Sequence, residues 1–326
     1  MKKALLVGID NYPNAPLSCC VKDAISLGSI IETHGNGDPN FAVKIEKNVP
    51  DRSTLLKMIK ELFDGEADIA LFFFSGHGTI TDRGGYIVTP DYKQYEEGVS
   101  LENIMNYANR SNIKNRIIIL DCCFSGAIAN LNFSNACNNE NISIIKEGTT
   151  ILTASRSIET ASEINGHGIF SNLLIEALRG GCADINGNIT PGNIYSFIDK
   201  ALGPWGQRPV FKTNTSKFVS LRRVQPQVPI EVVRRIVNYF PTPQYFFPLD
   251  PSFEFTNNPS IEHKILFPYA KAENVSIFKD LQMMVSVGLV VPVSADHMYF
   301  AAMESKSCRL TALGEHYWDL VKKKLI

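Results

Sequence analysis

The chain carries almost no net charge, no C-x-x-C pair and no apolar stretch that approaches the length of a membrane span. A net charge of −1 over 326 residues leaves no global pull toward nucleic acid or a membrane surface. Without C-x-x-C spacing no structural zinc site is expected. Without a long apolar run no spanning helix is expected. There is no internal repeat. The seven cysteines are an odd number, and four of them stand in two adjacent pairs, Cys19–Cys20 and Cys122–Cys123. Neighbours on an extended strand point to opposite faces and rarely bridge. The pattern is therefore not a secreted disulfide framework. The opening "MKKALLVGIDNY" imitates a secretion signal only as far as Asp10, and no small-residue cleavage site follows. A first core strand and a reducing, cytoplasmic location are expected.

What is present suffices for a sizeable core and two modest domains: 44% of residues are apolar and 20% charged. Strands are predicted over Lys3–Ile9, Phe41–Lys47, Asp68–Ser75, Arg116–Cys122 and Thr149–Ser155. They are uniformly apolar rather than alternating, as in strands buried on both faces. Between them lie the helical patterns "CVKDAISLGSIIETHG", "DRSTLLKMIKELFDG", "SLENIMNYANRS" and "GIFSNLLIEALRGG". Asp51 or Ser53 is the predicted N-cap of the second, and the first, second and last end at glycines. Strand–helix alternation gives an open, mostly parallel sheet with helices on both faces. Gly84–Pro90 suits a small hairpin, and "RPVFKTN" with "KFVSLRR" a closing strand pair. Asn130–Gly148, rich in asparagine, is too long for an ordinary connection and is expected to be a mobile loop.

"VQPQVP" (Val224–Pro229) is punctuated by proline, which sets expected domains of 1–224 and 225–326. In the tail, "EVVRRIVNYF" reads as one short helix and "NVSIFKDLQMMVSVGLVVPV" as a helix running into a strand. "HMYFAAMESKSCRLTALGEHYWDLVKKKLI" reads as strand, turn, strand and final helix. That order is similar to a small α+β winged-helix domain. Basic and acidic residues balance there, so no nucleic-acid footprint is expected. The "KKK" run reads as a solvated helix end. Aromatics such as Tyr245, Phe246, Phe247, Tyr299 and Trp318 suit core or a protein-docking face, and a regulatory protein partner is the expectation.

In an open parallel sheet, reactive groups collect beyond the carboxyl ends of the strands. The third strand ends "FFFSGHG", with His77 between glycines. The fourth ends "LDCCFSG", with Cys122 and Cys123. If the two strands are neighbours, a thiol and an imidazole share one rim, as nucleophile and base. The backbone N–H groups of Gly78 and of the nucleophile could hold an oxyanion. Taken singly, such a histidine is usually structural and a buried cysteine usually packing. The matched strand ends favour chemistry.

"FFFSGHG" followed 46 residues later by the second cysteine of "DCCFSG" resembles the caspase–metacaspase fold of cysteine peptidases. The likeness covers about Met1 to Leu221, including "ALLVGIDNYPNAPLSCCVKDA" and "QRPVFKTN". Against the metacaspase form Asp-x-Cys-His-Ser-Gly it puts Cys123 in the nucleophile position and leaves Cys122 as packing. Phe124 replaces a histidine that is not part of the dyad. The resemblance divides the first domain into a large-subunit-like part (1–130), the loop (131–148) and a small-subunit-like part (149–224). It implies a pocket for a basic side chain at Asp121, Ser75 and Asp23, with Cys20 beside them. Glu163 falls near the place where aspartate-specific relatives present an arginine. Cleavage of protein substrates after Arg or Lys is the expectation. Calcium, which many metacaspases need, is not expected, since 78–99 offers only Asp82, Asp91, Glu96 and Glu97. "DINGN" (Asp184–Asn188) looks like a calcium-loop fragment but lacks the downstream glutamate. In the family the loop is often processed. Lys146, its only basic residue, is the candidate for self-cleavage. The setting implied is cell death or defence. The rival expectations are a catalytically silent adaptor that binds protein or DNA through its tail, and another thiol enzyme such as an acyltransferase.

Overall fold

A computed structural model describes residues 1–93, 96–122, 145–154, 163–164, 166–203, 208–260 and 265–326. Two compact units emerge, Met1–Gln225 and Pro226–Ile326.

The first unit is built on β1 (Lys2–Gly8), α1 (Cys20–Ile31), β2 (Phe41–Lys47), α2 (Arg52–Phe63) and β3 (Ile69–Ser75). A small antiparallel sheet follows, β4 (Gly78–Thr81), β5 (Gly84–Lys93) and β6 (Glu96–Ser100). Then come α3 (Leu101–Arg110), β7 (Asn115–Asp121) and β8 (Thr149–Thr153). The remainder is β9 (Glu163–Ile164), β10 (His167–Gly168), α4 (Ile169–Glu176), β11 (Asn188–Ile189), α5 (Pro191–Leu202), β12 (Val210–Asn214) and β13 (Arg222–Arg223). The main sheet has the order β12-β8-β7-β3-β1-β2. All its pairings are parallel except that of the edge strand β12 with β8.

Strand periodicity divides the core in two. Leu5, Val7, Phe72, Phe74, Ile118 and Leu120 face α2 and α3 on one side. Ala4, Leu6, Leu71, Phe73, Ile117 and Ile119 face α1, α4 and α5 on the other. This explains why β3 is buried at every position. Asp51 is the N-cap of α2, accepting from the Thr54 N–H at 2.8 Å.

Several sequence expectations change. "RPVFKTN" and "KFVSLRR" do not pair with each other. β12 closes the main sheet, and β13 pairs with β11. α1 stops at Ile31, short of Gly35, because the Asn40 amide caps the Ile31 carbonyl at 2.9 Å. The hairpin is a three-stranded sheet. α5 was not expected, although Thr190 caps it, Pro191 stands in its first turn and Gly203 follows its end. "DINGN" is a tight turn in which the Asp184 carboxylate accepts from the Asn186 and Asn188 N–H groups. Most of the asparagine-rich loop lies outside the described residues.

The second unit contains α6 (Ile230–Arg234), α7 (Ile236–Tyr239), β14 (Phe247–Pro248), α8 (Ala272–Ser286), β15 (Val290–Val293), α9 (Met298–Met303), β16 (Ser307–Leu310) and α10 (Ala312–Lys322). Its sheet has the order β14-β16-β15. "EVVRRIVNYF" is two short helices meeting at Arg235, whose guanidinium forks onto the buried Asp280 at 2.6 and 3.0 Å. "MYFAAM" is a helix rather than a strand, since Met298, Ala301 and Ala302 recur at helical spacing and are all buried. Phe240, Phe247, Phe253 and Phe278 interlock edge to face or tilted. Trp318 donates its indole N–H to the Phe240 carbonyl at 2.6 Å.

Candidate active site

Three strands end level with one another. Gly8 of β1 lies opposite Ser75 of β3, and Ser75 lies opposite Asp121 of β7. The Gly76 N–H donates to the Asp121 carbonyl at 3.3 Å, so the "SGHG" turn is tied to the end of β7. Helix α1 begins against this rim because Gly8 has no side chain. A Cβ there would lie 2.2 Å from the Cys20 carbonyl oxygen. Asp10 fixes the same helix start, accepting from the Cys20 N–H at 2.8 Å and the Val21 N–H at 3.3 Å.

His77 is half-buried and held on three sides. Its Nε2 lies 2.7 Å from the Ala15 carbonyl oxygen. A carbonyl only accepts, so Nε2 carries the proton and Nδ1 is the basic nitrogen. Its backbone N–H donates to the Tyr12 hydroxyl at 3.1 Å, and that hydroxyl donates to the Val88 carbonyl at 3.1 Å. The Tyr12 ring meets the imidazole edge-on, with centroids 4.6 Å apart. The Val88 N–H donates to the His77 carbonyl, so Gly78 and Ile87 form a non-hydrogen-bonded pair. The Gly78 N–H is therefore directed away from the β5 ladder. Cys122 is buried, packed into the core with Leu120 and Tyr12. Cys123 lies outside the described residues.

Beside the histidine, two carboxylates converge. Asp23, on α1, is 1% exposed. It accepts from the Ser75 hydroxyl at 3.3 Å and from the Nδ1–H of His167 at 2.5 Å. Asp121 accepts from the Ser171 hydroxyl at 2.6 Å. Gly168, between them, presents no side chain. A Cβ there would lie 3.1 Å from Asp121 Oδ2 and 3.7 Å from Asp23 Oδ2. The Cys20 thiol borders the group, bonded to Ser75 and pushed up by burial.

Burial dominates the electrostatics. It pushes the Asp121 carboxyl up to about 6, with the Ser171 hydroxyl pulling it back and the neighbouring Asp23 charge adding to the rise. Burial also raises Asp23, and the hydrogen bond from His167 opposes that rise. Among the described residues no lysine or arginine forms an ion pair with either carboxylate. Asp23 has only His167.

Of the expected residues, the structure brings together His77, Gly78, Cys20, Asp23, Ser75 and Asp121. Glu163 lies in β9, whose register places it opposite Gly168. Lys146 is elsewhere. It precedes β8 at the amino end of the sheet, where its ammonium donates to the Ser111 carbonyl at 3.1 Å and its N–H to Asn109 Oδ1 at 3.1 Å. The length of β8, roughly 16 Å, separates it from the rim. Sequence reasoning missed Tyr12, Ala15, His167 and Ser171. His167 alone left a trace, a second histidine set between glycines. Among the described residues no group of three or more His, Cys, Asp or Glu could hold a metal ion. No described helix is long and apolar enough to cross a membrane.

The model of the caspase domain matches residues 1–215, and the chain belongs to that family of cysteine peptidases, which act on protein substrates. Comparison with curated protein sequences gives no match. Among solved structures the chain is similar to caspase-1 from Spodoptera frugiperda at 14% identity and a TM-score of 0.46. That alignment covers 69% of this chain and 90% of the caspase.

Proposed function

We propose that this chain is an endopeptidase that cleaves after Arg or Lys, with His77 and Cys123 as its dyad. The observation that carries the specificity is the pair of carboxylates, Asp23 and Asp121, with no ion pair to a lysine or arginine among the described residues. Two like charges so close destabilise an empty site, and a guanidinium or ammonium from a substrate relieves both.

In the reaction, His77 Nδ1 takes the proton of the Cys123 thiol as the sulfur attacks the carbonyl carbon. The backbone N–H groups of Gly78 and Cys123 receive the negative charge that develops on the oxygen. The imidazolium returns its proton to the leaving amine. Water then attacks the thioester, with His77 as base, and releases the acid product and the free thiol.

Pro226–Ile326 is proposed to regulate the peptidase by engaging a protein partner. Support comes from the large apolar side chains it exposes, among them Phe246, Phe255, Phe267 and Tyr269. A role in cell death or defence fits such a regulated peptidase. Self-processing after Lys146 would require release of the 145–148 segment from Ser111 and Arg116, or a second molecule. Intact mass after incubation, compared with Cys123→Ala, tests it: identical masses remove the idea.

Hydrolysis of fluorogenic peptides ending in Arg, Lys or Asp, with and without calcium, tests the main reading. The expected result is turnover of the Arg and Lys peptides that disappears in Cys123→Ala. Turnover of the Asp peptide alone would overturn the assigned specificity. No turnover of any peptide would favour the silent adaptor.

A further inference from the structure

One polar group of the pocket has no role in the reaction above. His167 stands 144 residues from Asp23 in sequence, yet bonds it at 2.5 Å, with the two side chains 14% and 2% exposed. His167, Gly168 and Ser171 form one continuous strap. His167 takes Asp23, Ser171 takes Asp121, and Gly168 leaves the gap between the two carboxylates open.

The choice of side chain at 167 follows from the charge the pocket must keep. A buried carboxylate needs hydrogen-bond donors, and Asp23 takes them from His167, from the Gly168 N–H and, at 3.3 Å, from the Ser75 hydroxyl. A lysine or arginine at 167 would satisfy Asp23 but bring a permanent cation into the place where the substrate cation belongs. An imidazole can donate Nδ1–H without being a permanent cation, so it can orient the carboxylate without filling the place of the substrate cation in every state. His167 takes one lone pair of Oδ1 and Ser75 one of Oδ2. The Gly168 N–H also donates to this carboxylate, so of its roughly four acceptor sites one remains for an incoming N–H.

We propose that His167 is a positioning residue that sets the specificity of the pocket: it aims the Asp23 carboxylate so that a guanidinium or ammonium is selected over neutral side chains. The proposal rests on the Arg/Lys reading above and adds the residue that sustains it.

The test separates binding from chemistry. Agmatine, the arginine side chain without its carboxylate, is titrated calorimetrically into the full-length Cys123→Ala protein, alone and with His167→Ala or His167→Asn added. Asparagine can replace the Nδ1–H donor without a charge. The expected result is agmatine affinity reduced about tenfold or more by His167→Ala and restored to within about threefold by His167→Asn. In the active background, His167→Ala should raise KM for Arg and Lys peptides by a similar factor. It should leave kcat within about twofold and leave a norleucine peptide unaffected. Melting temperatures confirm that each variant is folded, and the asparagine variant keeps the test valid if the alanine variant is not. Unchanged agmatine binding in His167→Ala overturns the proposal, as does a folded His167→Asn with affinity reduced tenfold. Absence of agmatine binding with His167 intact overturns both this proposal and the Arg/Lys reading. Binding without hydrolysis overturns the peptidase reading alone.

Discussion

The two ends of the central sheet use charge in opposite ways. At the amino end, cations are spent on the fold. Arg116, 2% exposed, donates to the Ile113 and Glu147 carbonyls and to the Thr149 hydroxyl. Lys114 pairs with Asp68 at 3.0 Å, and Asp68 also holds the N-terminal amine at 2.6 Å. Lys2 bonds the Asn40 amide oxygen and the Ser220 carbonyl. A groove of about 1240 Å³ opens there, lined by Lys2, Asp68, Lys114, Arg116 and Arg223. Its buried guanidinium is already satisfied, and it lies at the far end from His77. At the carboxyl end, the buried Asp23 and the half-buried Asp121 form no ion pair with a lysine or arginine among the described residues. Satisfied charge marks structure, and charge left waiting marks a ligand site.

Removing the base is expected to have the largest effect. His77→Ala should lower kcat/KM by about 10²- to 10⁴-fold while melting stays near that of the parent, as measured by peptide hydrolysis and calorimetry. A smaller effect on catalysis would show that the rim histidine is not the base.

Removing the waiting charge comes next. Asp23→Asn or Asp121→Asn should lower kcat/KM for Arg peptides by roughly 30-fold or more, since a desolvated charge pair contributes about 2–5 kcal/mol. Asp121→Asn should at the same time raise thermal stability. The folded chain takes up a proton at Asp121 near pH 6, against an ordinary value of 3.8. Between those values the folded state binds more protons than the unfolded one, so stability falls as pH rises through that window. Above about pH 6 the full cost of the buried carboxylate is present. The asparagine variant escapes it, and its advantage in melting temperature should close below about pH 4. The same titration should weaken cleavage after Arg as pH falls through about 6 in the parent. A drop in stability at neutral pH on Asp121→Asn would mean that the carboxylate belongs to the fold.

The amino end should answer in the opposite sense. Arg116→Met leaves buried carbonyls without donors and should cost about 3 kcal/mol of stability in urea unfolding. The ratio of Arg to norleucine turnover should not change. The smallest effect is expected at Tyr12. Tyr12→Phe removes the hydroxyl that joins the His77 N–H to the Val88 carbonyl, which should cost about 1 kcal/mol of stability and a few-fold in kcat.

How far these sites could be read in the sequence depended on where their partners lie. The strands were legible because burial on both faces makes them uniformly apolar, and the end of the apolar run at Ser75 placed His77 at a strand end. Asp23, Ser75 and Asp121 were legible through resemblance, as members of short motifs. Ala15 was not, because a carbonyl oxygen leaves no trace in residue identity. His167 and Ser171 were not, because their partners are distant in the chain and no local period couples them. The pairing of β13 with β11 was hidden for a similar reason. A two-residue strand has too little pattern to show its neighbour. α9 was read as a strand because six residues rich in aromatic and β-forming types mask a buried stripe of Met298, Ala301 and Ala302.

The strap that closes the pocket has a consequence for the order in which the molecule comes into being. His77 and Cys123 leave the ribosome well before His167, Gly168 and Ser171. A nascent chain thus carries Asp23 and Asp121 before their hydrogen-bond partners His167 and Ser171 exist. The two carboxylates gain those donors only when the strap reaches them, and the edge strand β12 is later still. The newborn polypeptide holds both acids before it holds the strap that binds them.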